Sequence, residues 1–216
     1  MKVPVFSRHR LRKRGPALPL FVPWRQKWVA GLAVCLLAGL LYGTANRLAP
    51  EGAALPLTDL DRAIPLLPWT AWIYVSGILF LPAAYLLNRC VVSLNRHLWS
   101  FLVLQSVSVA IFLIHPTTYP REAFPLQEGA WLLELVRGID RPVCSAPSLH
   151  VSVATLVALG FLEDRREWFV PMAFWSLALS LSTLTTKQHA VVDVVGREGQ
   201  QAAAGALQPD HQLVGK

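Results

Sequence analysis

Charge is scarce in this chain. Asp, Glu, Lys and Arg make up 15% of the 216 residues, against 54% apolar, where a soluble domain carries about a quarter charged. That shortage, together with several long apolar runs, argues against an ordinary water-soluble globule. An integral membrane protein of one domain is the leading class. Cysteine is scarce too. Cys35, Cys90 and Cys144 are scattered, two of them in or beside apolar runs, so neither a disulfide framework nor a zinc site is indicated. No Gly-x-Ser-x-Gly elbow occurs, which argues against a Ser-His-Asp hydrolase. There is no internal repeat and no sign of a second domain.

Positive charge, by contrast, is present and unevenly placed. A net charge of +7 would suit nucleic acid, but eight of the twenty Lys and Arg precede residue 28. They are Lys2, Arg8, Arg10, Arg12, Lys13, Arg14, Arg25 and Lys27. Such a cluster ahead of an apolar run is a topology signal, so no nucleic-acid partner is expected. Prolines at 4, 16, 19 and 23 break any helix there. Residues 1–27 read as a basic cytoplasmic tail able to touch anionic headgroups, at about 1 kcal/mol per basic residue. The run that follows is long for a signal-peptide core and shows no convincing cleavage site.

The apolar pattern predicts an all-α, polytopic membrane helix bundle with five spans and an incomplete sixth. The spans are expected at about 28–42, 69–87, 98–115, 148–162 and 168–184. A short interfacial helix is expected at 131–136, with Trp131 at headgroup depth. A sixth span begins at His189 but soon meets Arg197 and Glu198. Charged groups at a bilayer centre cost roughly 2.5–3.5 kcal/mol each on insertion scales. The domain plan is therefore tail 1–27, membrane domain 28–195 and polar C-terminal tail 196–216. With the N-terminus in the cytoplasm, the arginine-bearing loops at 88–97 and 163–167 also face the cytoplasm. The loops at 43–69, 116–147 and 185–188 then share the outer face, which brings His150 and His189 to one side.

The candidate chemistry sits in residues 182–193, where His189 and Asp193 lie four apart. On a helix that spacing stacks the two side chains on one face. A carboxylate accepting from one imidazole nitrogen leaves the other free as nucleophile or base. His150 heads another apolar run. A merely structural His–Asp pair is the plain alternative, but ionisable groups in membrane segments are usually functional. Phosphoryl transfer needs an in-line nucleophile, a proton donor for the leaving oxygen, and cations or amides around the phosphate. His189 is the candidate nucleophile and Asp193 its orienting acid. His150 would protonate the leaving alcohol and then activate water. Ser148 would cap the fourth span's helix, whose free amides could cradle phosphate. Arg121 and Lys187 are the nearest cations. Asp140 and Arg141 read as a loop ion pair. A metal held by His150, His189 and Asp193 is chemically possible. With no other carboxylate or His placed beside them, neither metal nor cofactor is expected.

Pro147-Ser148-Leu149-His150 resembles the Pro-Ser-Gly-His motif of the type-2 phosphatidic acid phosphatase superfamily. Ser182, followed by His189-x-x-x-Asp193, resembles that family's Ser-Arg-x5-His-x3-Asp motif. The likeness covers roughly residues 55–195. It implies a bundle of six spans in membrane members and metal-independent cleavage of phosphate esters through a phosphohistidine. Ser182 would then join Ser148, Arg121 and Lys187 around the phosphate. The family's Lys-x6-Arg-Pro motif is matched only by Arg121: Ile114 stands at the Lys position and Glu122 at the Pro. Thr183 stands where the second motif has Arg, and Lys187 is the candidate substitute. The variant pattern is also similar to inositol phosphorylceramide synthases, which pass a phosphorylated head group to a lipid alcohol. The expected substrate is a lipid phosphate or diphosphate at the outer leaflet of a plasma or inner membrane. The alternatives are the transferase and a truncated, inactive family member.

Overall fold

The computed structural model describes residues 27–88, 91–126 and 128–195. Most of the expected basic tail, and all of the C-terminal tail at 196–216, lie outside the described residues. Five long helices cover the five expected runs. They are α1 (Lys27–Leu48), α3 (Ala71–Leu87), α4 (Val91–Ile114), α6 (Leu149–Asp164) and α7 (Arg166–Thr185). Among the described residues, three stretches are long and apolar enough to cross a membrane: Gly31–Leu48, Ser93–Ile114 and Arg166–Thr185. Helices α3 and α6, with 17 and 16 residues, fall below the roughly 20 residues a perpendicular crossing takes. Shorter helices lie in the connections: α2 (Asp59–Ala63), α5 (Trp131–Ile139) and α8 (Val191–Val195).

Hydrogen bonds between distant segments fix which helix ends meet. At one end Thr70 Oγ1 lies 2.8 Å from Thr185 Oγ1, and Tyr42 and Asn46 reach Asp140. The ends of α1 and α7 and the starts of α3 and α6 therefore gather there. At the opposite end Arg165 Nη1 donates to the Leu87 carbonyl, tying the α6–α7 junction to the end of α3. Helix α6 runs through the expected charged turn to Asp164, and Arg165 alone separates it from α7.

The interior is built from small clusters. Val34, Leu94, Leu98 and Phe101 join α1 to α4; Ala154, Val157, Phe161 and Leu179 join α6 to α7. Gly160 permits one close crossing, since a Cβ there would sit 1.4 Å from His97 Cε1. The exterior is apolar in turn. Leu32, Leu36 and Leu40 of α1, Val103 and Val107 of α4, and Phe174 and Leu181 of α7 are all more than half exposed. An apolar surface on that scale suits lipid rather than water.

Two strands of two residues each add a feature to the all-α expectation. β1 (Ala53–Ala54) pairs in parallel with β2 (Thr117–Thr118), and Thr117 also bridges to Cys144. These bridges satisfy backbone groups of three loops and stitch them together over the bundle end where the histidines lie.

Candidate active site

The structure places His150 and His189 at the same end of the bundle, with ring centroids 6.2 Å apart and planes inclined by 58°. Both rings line one cavity. They are too far apart to bond each other directly, yet near enough to flank a single phosphate.

His150 lies in the first turn of α6. Ser148 is the N-cap of that helix, and its hydroxyl accepts from the Val151 amide at 3.4 Å. A serine cap contributes typically about 1 kcal/mol. Tyr74 of α3 stacks on the His150 ring, with centroids 4.1 Å apart. Gly77, one turn on, keeps α3 close: a Cβ there would lie 3.0 Å from Leu179 Cδ1 and 3.5 Å from His150 Cδ2.

His189 lies outside any helix, which corrects the expectation that it and Asp193 share a helix face. Helix α7 stops at Thr185 and α8 starts at Val191. The stop is a Schellman motif: the Gln188 amide donates to the Thr183 carbonyl at 3.0 Å and the Lys187 amide to Leu184 at 3.2 Å. Its left-handed residue is Lys187, at φ 56°, where glycine is usual and a side chain costs about 1–2 kcal/mol. The ammonium offsets that strain by donating to the Asp61 carbonyl and, at 2.6 Å, to the Ile64 carbonyl. It also lies 4.4 Å from the centre of the Phe124 ring. Burial pushes the Lys187 pKa down, and the Asp61 carboxylate pulls it partly back.

The sharp turn aims His189. Its Nδ1 lies 2.8 Å from the Ser145 carbonyl oxygen. A carbonyl can only accept, so Nδ1 carries the proton, and in the neutral ring Nε2 is left with its lone pair. Asp193 Oδ2 is 3.6 Å from the same Nδ1, beyond a good hydrogen bond, and accepts instead from the Ala190 amide at 3.0 Å. Asp193 Oδ1 is buried with no partner among the described residues. The tautomer is thus set by Ser145, and Asp193 adds a buried carboxyl group near the same nitrogen.

The other candidates belong to the segments that frame this cavity. Arg121 donates to the Asp140 carbonyl, to Asp140 Oδ2 at 3.1 Å and to Gln188 Oε1, one residue before His189. Asp140 pairs with Arg121 rather than with Arg141 as expected. Its Oδ1 also accepts from Tyr42 at 2.6 Å and Asn46 at 3.1 Å. Arg141 instead donates to the carbonyls of Asn46, Arg47 and Ala49 at the end of α1, where a cation complements the helix dipole. Ser182 is buried and its hydroxyl donates to the Leu179 carbonyl at 2.7 Å. Lys187 and Ser182 are thus engaged in shaping the turn, while Arg121 ties the Asp140 segment to Gln188, next to His189.

Reading the sequence missed Asp61. This buried side chain forms a capping box with Thr58, and its Oδ1 accepts from the Val191 amide at 2.8 Å, which fastens the start of α8. The pattern Thr58-x-x-Asp61 carries a local signal, since Ser or Thr followed three residues on by an acid marks a capping box. Ser145 and Tyr74 carry no such signal: the first acts through a backbone carbonyl, the second through ring packing.

The helical bundle, with three apolar helices of membrane-spanning length, suits a membrane protein, and it sets two histidines across one cavity with a buried carboxyl group near one of them. Residues 57–198 match the family profile described as the PAP2 superfamily, and the chain belongs to that superfamily. Membership fits phosphatase or phosphotransferase activity. A search of curated proteins found no match to the chain.

Proposed function

We propose that this protein is a metal-independent phosphatase of the membrane, hydrolysing a lipid phosphate or diphosphate through a phosphohistidine. The observation that carries this reading is the arrangement of His189. Its proton is held on Nδ1 by Ser145, and its other face opens on the cavity that His150 shares. Nε2 attacks phosphorus in line as the P–O bond to the alcohol breaks. His150, protonated as the substrate phosphate docks, gives that proton to the departing oxygen. In the second half His150 takes a proton from water as the water oxygen attacks the phosphohistidine, releasing inorganic phosphate and restoring both rings. Asp193 stabilises the positive ring formed by attack, and Arg121, bonded to Gln188 next to His189, is the proposed cation for the phosphate oxygens. Free amides at the start of α6 add to that charge binding. Ser182 and Lys187 act on phosphate through the shape of the turn.

The reading includes five spans, with α3 and α6 crossing alongside the three longer helices, and the histidines at the outer face. The basic residues ahead of α1 support that orientation. The test uses the full chain in nanodiscs with a panel of lipid phosphates and diphosphates, with and without chelator. Phosphate release that survives chelator, together with an acid-labile phosphoryl group mapped to His189 by mass spectrometry, is the expected result. Phosphoryl label recovered on an added lipid alcohol instead of in water would replace hydrolysis by transfer. No labelled histidine under any substrate would refute the mechanism.

A further inference from the structure

The cavity that holds the two histidines extends away from them as an apolar pocket of about 410 Å³, in the range of small-ligand sites. Cys35 and Ala38 of α1, Ile78 and Leu79 of α3, Gln105 of α4 and Val153 of α6 contribute to its wall. From Tyr42 to Cys35 the lining spans seven residues of α1, or about 10 Å at the helical rise. Gln105 Nε2 approaches the Ala38 carbonyl at 3.4 Å, placing a polar amide near the deep end of a wall otherwise largely apolar. The pocket also has a side. Helix α1 packs chiefly on α4, and α3 on α6 and α7, while α1 and α3 meet at few points. Ile78 and Leu79, at 70% and 68% exposed, line the pocket and face outward as well.

We infer that this pocket is a subsite for one hydrocarbon chain of the substrate, entered sideways from the bilayer between α1 and α3. Its floor at Cys35, Ala38 and Gln105 sets how much chain is held inside. The inference rests on the phosphatase reading for its orientation: the ester oxygen lies at the histidines and the chain runs from there toward the floor. A chain already in lipid gains little on entering an apolar wall. A short alkyl phosphate arriving from water gains up to about fourfold in efficiency per methylene, and the gain ends where the floor is reached.

The experiment has two arms. In the first, kcat/KM is measured for linear alkyl phosphates of rising length, at concentrations below micelle formation. A rise that levels off, and that levels off at a shorter chain in Ala38→Phe, is expected; a flat series overturns the inference. The second arm needs neither turnover nor a folding-sensitive variant. An alkyl methanethiosulfonate is used to label Cys35 in the wild-type protein, with Cys35→Ser reporting labelling elsewhere. A long-chain alkyl phosphonate slows Cys35 labelling at least fivefold, and inorganic phosphate at equal concentration does not. Unchanged labelling overturns the chain site even where phosphate release is intact. Protected labelling in a protein that releases no phosphate from any ester upholds the chain site and overturns the catalytic reading alone.

Discussion

The two histidines are held in opposite ways. His189 sits on a turn whose polar groups are densely engaged: a Schellman motif behind it, the Ser145 carbonyl on its ring, Asp61 on the Val191 amide and Lys187 on two carbonyls. His150 sits on a regular helix and is held by packing, with Tyr74 stacked on its face and Gly77 admitting α3. Among the described residues, neither His150 ring nitrogen has a hydrogen-bond partner. The difference matches the work proposed for each. A nucleophile must present one nitrogen along a fixed line, and a fixed tautomer serves that. A group that gives a proton and then takes one back gains from nitrogens left uncommitted.

The largest effect tests the rigid side. His189→Ala removes the proposed nucleophile, and turnover of a lipid phosphate should fall by about 10⁴-fold or more, with no phosphoryl label retained. His150→Ala should cost about 10²–10⁴-fold on an alkyl ester. With a nitrophenyl ester, whose leaving oxygen needs no proton, the loss in the first half-reaction should shrink sharply. Label should then accumulate on His189, because water is no longer activated. Equal losses on both esters, without accumulation, would return His150 to a packing role.

A smaller effect separates the turn from its support. Asp61→Ala strips the Val191 amide and the Thr58 cap of their acceptor. Leaving buried donors unsatisfied costs about 1–3 kcal/mol each, which should appear as a lower Tm. Because α8 is fastened by the same carboxylate, kcat should fall with the lipid's KM little changed. A Tm loss with normal kcat would show that the turn holds its shape without Asp61.

The helices were legible in the sequence because long apolar runs announce themselves. The five runs became five long helices, and Trp131 does open a short one, α5. Their ends were less so. Helix α1 continues to Leu48, since Gly43, Thr44 and Asn46 do not break it and Arg141, far off in sequence, caps it. His150, His189 and Asp193 were singled out by their place in the apolar pattern and their spacing, Arg121 by the resemblance, and the structure gathers all four at one end of the bundle. What local spacing misjudged was conformation. A spacing of four positions from His189 to Asp193 suggests one helical turn, but a left-handed Lys187 ends α7 first, and nothing in the neighbouring residues announces that. Partners such as Ser145 and Asp140 are supplied by other segments, so no periodicity marks them. The polar turn was therefore the less readable region, although it carries the more recognisable motif.

The smallest expected effect falls on the packed side. Tyr74→Leu keeps an apolar body beside His150 but removes the stacked face. Aromatic pairs of this kind contribute about 0.5–1.5 kcal/mol beyond their buried area, so kcat should drop by about tenfold at most. If packing alone orients His150, the loss should appear with alkyl esters and fade with nitrophenyl esters, following the His150→Ala pattern at reduced scale. Tyr74→Phe retains the ring and should retain the rate. A Phe variant as slow as the Leu variant would point to the phenolic hydroxyl, and so to a polar hold on His150 like the one His189 already has.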